Sequence, residues 1–175
     1  MGTIRVGHGY DVHRLVAGRR LVLGGVHVPF ERGLAGHSDA DVLVHAIMDA
    51  ILGAAGMGDI GQMFPDSDAQ YAGASSLHLL EQVAGRLHTA GWRVGNIDAT
   101  VVAQAPKLAA FREEMQKNIA TALGCVADKC CGNDDSNSND DAYVVNVKFT
   151  TEEHLGFTGA GEGIAAHAVC LVERC

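Results

Sequence analysis

Apolar and polar positions change rhythm along the chain, and each change marks an element. Arg5 to His13 reads as a strand, and Leu21 to Pro29 as a short hairpin that turns at Gly24-Gly25 with His27 on its solvent side. A helix is predicted from Ser38 to about Ala55 through Val42, Ala46, Ile47, Ile51 and Leu52, ending at Gly56. It is apolar on most sides, so the fold or another subunit must bury it. Ser75 or Ser76 caps a second helix with Leu79, Leu80, Val83 and Leu87 on its apolar stripe, closing near Gly91. Asn96 to Gln104 is a strand that runs into Ala105-Pro106-Lys107, where proline stops sheet pairing and a third helix, Leu108 to about Leu123, begins. Tyr143 to Thr150 is the next strand, Gly156 to Gly163 a glycine-rich turn, and Ile164 to Val172 a last apolar strand.

This order predicts an α/β fold, an α+β sandwich in which a mixed sheet of four to five strands carries helices on one face. The sheet's other face then needs cover, and packing of copies around a symmetry axis would supply it. Two stretches break the pattern. Gly56 to Asp68 is a loop of three glycines, one proline and three aspartates. Its exposed amides and short carboxylates suit ribose hydroxyls or a metal-bridged phosphate, or else it is a plain polar connection. Residues 125–142 are too polar to offset the cost of ordering, so a flexible insert is expected within a single domain spanning 1–175.

Composition narrows the function. Apolar residues make up 47% of the 175 residues, enough for one substantial core. A net charge of −8 without a basic cluster argues against nucleic acid or an anionic membrane as partner, and implies that an anionic substrate would be neutralised by metal ions. The absence of a membrane-length apolar run, and a strand that starts almost at Met1, lead to the expectation of a cytoplasmic protein without signal or transit peptide. Cys125, Cys130, Cys131, Cys170 and Cys175 fit neither a disulfide framework nor paired zinc spacing and read as reduced, unligated thiols.

The chemistry concentrates in two histidine-rich segments, Gly7 to His13 and Gly36 to His45, which hold His8, His13, His37 and His45 with Asp11, Asp39 and Asp41. Asp11 and His13 are two apart on a strand and share a face. With Ser38 as N-cap and Asp41 as its capping-box partner, His45 lies one turn beyond Asp41 and one before Asp49, carboxylates that would serve as its outer partners. One carboxylate and two imidazoles leave the fourth position of a tetrahedral zinc open, the pattern of a catalytic site. The plain alternative is that D-x-H is a common tripeptide and His45 a satisfied half-buried residue. His78 and His88 lack carboxylates at ligand spacing and read as surface residues. Lys107 meets a phosphate or base, or is simply solvated. Thr151-Glu152-Glu153 places hydroxyl and carboxylate groups at a strand end.

The segments GHGYDVHRL, LGGVHVPF, GLAGHSDADVLVHAIMDAILGAAGMGDIGQMFPDSD, NIDATVVAQAPKL, VNVKFTTEE and GFTGAGEGIAAHAV together resemble the 2-C-methyl-D-erythritol 2,4-cyclodiphosphate synthase family over essentially the whole chain except 125–142. The resemblance implies a homotrimer packed around its sheets, with active sites between neighbouring subunits. The substrate would be 4-diphosphocytidyl-2-C-methyl-D-erythritol 2-phosphate, cyclised with loss of CMP. Asp11, His13 and His45 would hold zinc, and Glu153 a second divalent cation, magnesium or manganese. His37 and Ser38 would contact the substrate, with His37 and Thr151 in catalytic roles. Asp59, Ile60 and Gly61 would bind the methylerythritol or ribose side, next to a loop of Phe64, Pro65, Asp66, Ser67 and Asp68. Ala103, Gln104, Ala105, Pro106 and Lys107 would cradle cytidine. Thr150, Thr151 and Glu152 would meet the diphosphate, with Asp11, His13 and Phe157 also touching substrate. Phe157 and Glu162 resemble residues that line the trimer axis, where some relatives hold an isoprenoid diphosphate, but Ala160 stands where those relatives often carry arginine. Two other classes remain open: a zinc-dependent phosphohydrolase of nucleotide substrates, and a metal-binding scaffold without turnover.

Overall fold

The computed structural model describes residues 3–65, 67–125 and 144–175. Residues 126–142 of the proposed flexible insert, with Tyr143 and with Asp66 of the earlier loop, lie outside the described residues. The strands are β1 (Ile4–Ala17), β2 (Leu21–Leu23), β3 (Val26–Val28), β4 (Arg32–Leu34), β5 (Trp92–Val102), β6 (Val145–Thr150) and β7 (Gly163–Arg174). The helices are α1 (Val42–Ala55), α2 (Ile60–Met63), α3 (Ser76–Thr89), α4 (Arg112–Ala122) and α5 (Gly156–Gly159). Five strands form one mixed sheet in the order β4-β1-β7-β5-β6, while β2 and β3 pair apart as the expected hairpin. Only β5 and β6 run parallel within that sheet, because α4 intervenes and carries the chain back; the other pairings are antiparallel.

The central pairing is β1 with β7, in register from Ile4 opposite Glu173 to Arg14 opposite Gly163. On its inner face lies α1, with Leu43, Ile47, Met48 and Ile51 fully buried. Each such side chain contributes about 1.5–3 kcal/mol relative to exposure. Small residues bring the helix very near the strand. A Cβ built on Gly9 would sit 1.9 Å from the Ala46 carbonyl oxygen, and one on Gly7 2.0 Å from that of Ala50. No side chain fits there, so glycine is required, and the contact sets the height at which His45 meets β1.

Three local expectations are corrected. The first helix starts at Val42 with Asp41, not Ser38, as its N-cap. Ala40 takes a left-handed backbone, φ 57°, which breaks helical continuity, and the Asp41 carboxylate accepts the Val44 amide at 3.1 Å. The stretch 56–68 is not all loop, since Asp59 caps the short α2. β4 was not foreseen, and its three residues pair with Leu15, Val16 and Ala17. The far side of the sheet is open in the single chain and apolar, with Ile4 59%, Val6 66% and Val169 45% exposed. No helix among the described residues is long and apolar enough to cross a membrane.

Candidate metal centre and substrate cavity

Asp11 and His13 face α1 from β1, and His45 meets them from the first turn of the helix. Asp11 Oδ2 lies 3.0 Å from His13 Nε2 and 3.0 Å from His45 Nδ1, and the two nitrogens are 3.2 Å apart. Three donors in a triangle of this size match the edge of a tetrahedral site, about 3.3 Å for zinc to nitrogen or oxygen bonds near 2 Å. Among the described residues this is the one group of three or more His, Cys, Asp or Glu donors that converge within 4.8 Å. One hard carboxylate and two imidazoles suit a zinc-like ion, so the donor set fits the metal expected from sequence.

The electrostatics point the same way. Burial opposes ionisation of Asp11, but hydrogen bonds from His13 and His45 override it and hold the carboxyl well below the usual carboxylate range. Burial likewise works against a charged His45, yet the hydrogen bond and charge of Asp11, with the charges of Asp41 and Asp39, raise its pKa. The pocket is therefore built for positive charge, supplied by a proton or by a cation that displaces it.

The outer partners differ from those expected. His45 Nε2 lies 2.9 Å from Ser76 Oγ and 3.2 Å from Ser38 Oγ. Ser76 donates in turn to Asp39 Oδ1, whose other oxygen accepts the Ser76 amide at 3.0 Å. Asp39 thus caps α3 and orients the Ser76 hydroxyl toward His45, so Nδ1 is the nitrogen left for a metal. Asp41 and Asp49 face other tasks. The buried Asp41 carboxylate accepts the amides of Gly24 at 3.0 Å and Gly25 at 2.7 Å, tying the hairpin to α1. Burial outweighs these amides and pushes its pKa up to about 6. Asp49 accepts the Ile60 amide at 2.8 Å and anchors α2.

The triad opens onto a cavity of about 260 Å³, lined also by His37, Ser38, Ile60, Gly61, Phe64 and Tyr71. Arg19 grips the His37 loop from outside, donating to the Gly36 carbonyl and to the Ser38 carbonyl, both at 2.9 Å. Asp59 is exposed, outside the lining, and engaged with the Gln62 amide at 2.9 Å. Pro65, Ser67 and Asp68 continue beyond Phe64 without lining the cavity, and Asp68 accepts the Gln70 amide at 3.1 Å.

A second group lies elsewhere, at the carboxyl ends of the parallel pair β5 and β6. The Ala103 amide donates to the Thr150 carbonyl at 3.0 Å, and Gln104 Oε1 accepts the His154 amide at 3.3 Å. Thr151 Oγ1 donates to Glu153 Oε1 at 2.7 Å, and Glu152 accepts from Thr158. Glu153 and His154 both hold left-handed backbones, φ 51° and 66°, a strained turn of the kind that aims side chains at functional sites. Lys107, Thr150 and Phe157 are exposed. None of Ala103 to Lys107, Thr150 to Glu153, or Phe157 lines the triad cavity. The two groups of residues are therefore separate within one chain.

Sequence reasoning missed Asp39, Ser76 and Arg19 as supports. Asp39 lies in a segment already singled out, but its partner is 37 residues away. His78 and His88 are exposed as expected, although His78 does meet a carboxylate, Glu81, at 3.1 Å. Among the described cysteines, Cys170 and Cys175 are free, and burial pushes the Cys170 thiol up to about 12.

Residues 4–173 match the family model described as the YgbB family. The chain is 58% identical over 174 residues to the 2-C-methyl-D-erythritol 2,4-cyclodiphosphate synthase of Thiobacillus denitrificans, with 99% of each chain covered. It is 57% identical over 171 residues to that of Geotalea daltonii, covering 98% of this chain and 91% of the relative. Among solved structures, the bifunctional IspDF from Campylobacter jejuni superposes with a TM-score of 0.87 at 40% identity, all of this chain corresponding to 43% of that one. IspF from Plasmodium falciparum, solved as a CDP complex, superposes with a TM-score of 0.78 at 32% identity, covering 99% and 98% of the two chains. A family model that spans nearly the whole length, together with relatives more than half identical along it, makes this chain a member of the YgbB family, to which the 2-C-methyl-D-erythritol 2,4-cyclodiphosphate synthases belong.

Proposed function

We infer that the chain converts 4-diphosphocytidyl-2-C-methyl-D-erythritol 2-phosphate into 2-C-methyl-D-erythritol 2,4-cyclodiphosphate and CMP, as a phosphorus–oxygen lyase of non-mevalonate isoprenoid precursor biosynthesis. The observation that carries this reading is the triangle of Asp11, His13 and His45 donors, 3.0–3.2 Å apart, opening onto a cavity in a chain of this family. In the reaction a 2-phosphate oxygen bonds to the β-phosphorus while the bond from that phosphorus to the bridging oxygen breaks, and CMP leaves with that oxygen. Attack is intramolecular, so no protein nucleophile is needed, and positioning plus charge stabilisation supply the catalysis.

Zinc held by Asp11, His13 and His45 would supply Lewis acidity toward a phosphoryl oxygen. His37 and Ser38, on the loop gripped by Arg19, hold the phosphate end and donate to oxygens that gain charge in the transition state. Ile60, Gly61 and Phe64 wall off water, with Asp59 and Pro65 to Asp68 completing the sugar side. Ala103 to Lys107 hold cytidine, and Thr150, Thr151 and Glu152 hold the diphosphate, with Thr151 in the catalytic role. Glu153 would take magnesium or manganese. The separation of these two half-sites within one chain favours assembly from neighbouring copies. So does the open apolar face around Val6 and Val169, and both fit a homotrimer packed around its sheets. The chain works as one domain, in a cytoplasm.

Incubation of the protein with the cytidylyl substrate, zinc and magnesium tests the activity. Mass spectrometry should show the cyclic diphosphate and CMP in equal amounts; a linear phosphate product would instead identify a hydrolase. Light scattering should give the mass of three copies, and a monomer active at high dilution would overturn the shared-site reading.

A further inference from the structure

Alternation along β1 turns Gly7, Gly9, Asp11 and His13 toward α1 and leaves His8, Tyr10 and Val12 on the open face. His8 there meets His167 of β7. The strands are neighbours, with His8 opposite Val169 and Tyr10 opposite His167, so the two histidines lie on a cross-strand diagonal. His8 Nε2 is 3.3 Å from His167 Nδ1. The Tyr10 ring packs on the His167 ring with centroids 4.7 Å apart and limits its rotation.

We propose that His8 and His167 form a second site for a divalent transition-metal ion, on the opposite face of the sheet from the catalytic triad. Their nitrogen separation is close to the 3.2 Å between His13 Nε2 and His45 Nδ1 in that triad, and to the donor edge of about 3.3 Å around a tetrahedral ion. Both imidazoles ride on paired strands of one sheet, so little ordering is left for the ion to impose. With only nitrogen donors, the site selects zinc, nickel or copper and rejects magnesium and calcium, which require oxygen ligands. The chain's net charge of −8 favours cation capture. Two imidazoles leave further coordination positions to water or to a neighbouring copy, since the pair lies on the face that the homotrimer reading assigns to subunit contact. A proton shared between the rings is the competing occupant, and metal binding separates the two.

The test uses the full chain, stripped with a chelator and dialysed to equilibrium against zinc alone, nickel alone or magnesium alone, with bound metal counted by mass spectrometry. Beyond the triad's equivalent and any cation held at Glu153, the wild type should bind additional zinc and nickel, and no more magnesium than the His8→Ala chain. His8→Ala and His167→Ala should lose the excess while keeping the triad's equivalent and normal turnover. His167→Gln serves in place of the alanine variant if that fails to fold. His13→Ala should keep the excess and lose turnover. Equal zinc content in wild type and the His167 variants, or an excess that persists in both, overturns the site. Turnover and light scattering on the same samples report separately on the proposed reaction and assembly, so failure of either reading is distinguishable from failure of this one.

Discussion

Ser76 shows how much of the centre rests on residues that are not themselves ligands. Its hydroxyl lies between His45 Nε2 at 2.9 Å and Asp39, all but shut off from water. Ser76→Ala leaves both neighbours without that partner, so metal affinity should fall about 10–100-fold. Stability should drop by about 1–3 kcal/mol. A competition titration against a zinc chelator and a thermal melt read the two effects. Protons give a second check. The Asp11 interaction raises the His45 pKa, so binding of a cation expels a proton and affinity falls as pH drops below that raised value. Calorimetric titrations in buffers of different ionisation enthalpy should reveal the released proton, and the same heat in every buffer would contradict it. Asp41 has the opposite sign to Asp11. Its folded pKa, about 6, lies above the ordinary 3.8, so its neutral form is the favoured one in the fold. Its contribution is fully present below the ordinary value and is lost as pH rises through 6, by up to about 3 kcal/mol for a shift of about two units. Asp41→Asn cannot ionise and should flatten denaturation midpoints across that window. It should also lower stability overall, because its NH2 would face the Gly25 amide.

At the scale of elements, the decisive contact is α1 on β1. Gly9→Ala would drive a methyl group into the Ala46 carbonyl, lift the helix and carry His45 away from Asp11. We expect a loss of more than about 3 kcal/mol and of the metal site together. Gly53→Ala is the control: it lies inside the same helix with nothing within 4 Å of the added Cβ. Helical propensity there predicts a gain of about 0.5–1 kcal/mol with metal binding intact. Chemical denaturation of both variants checks the pair. The glycines of GHGY were visible as punctuation in the sequence, but not their purpose, because the helix they admit starts 35 residues later at Val42. The helix start was misplaced for a related reason. Ser38 has the chemistry of a cap, and only the left-handed turn at Ala40 passes that role to Asp41.

At the scale of the whole molecule, the proposed sharing of sites between copies would link the open face to the second group of residues at the ends of β5 and β6. Val6→Asp places a charge on that face, at a residue that does not line the triad cavity in the same chain. It should yield a folded monomer that keeps its triad metal and loses turnover; a fully active monomer would mean that one chain suffices. Mixed monomers of a His13→Ala chain and a Glu153→Ala chain should recover part of the activity if copies share sites.

Local order fixes a good deal before any folding. The alternation of strands with helices, the two-residue step that puts Asp11 and His13 on one face, and an apolar α1 that must be buried are all properties of neighbours along the chain. They determined the fold class and two of the three candidate metal donors, Asp11 and His13, which His45 joins only through the packing of α1 on β1. What tertiary structure alone decided joins distant residues: Asp39 to Ser76, Arg19 to the carbonyls around His37, Asp49 to α2, and His8 to His167. Each depends on the height and register at which packed elements meet, and hydrophobic periodicity carries no record of either.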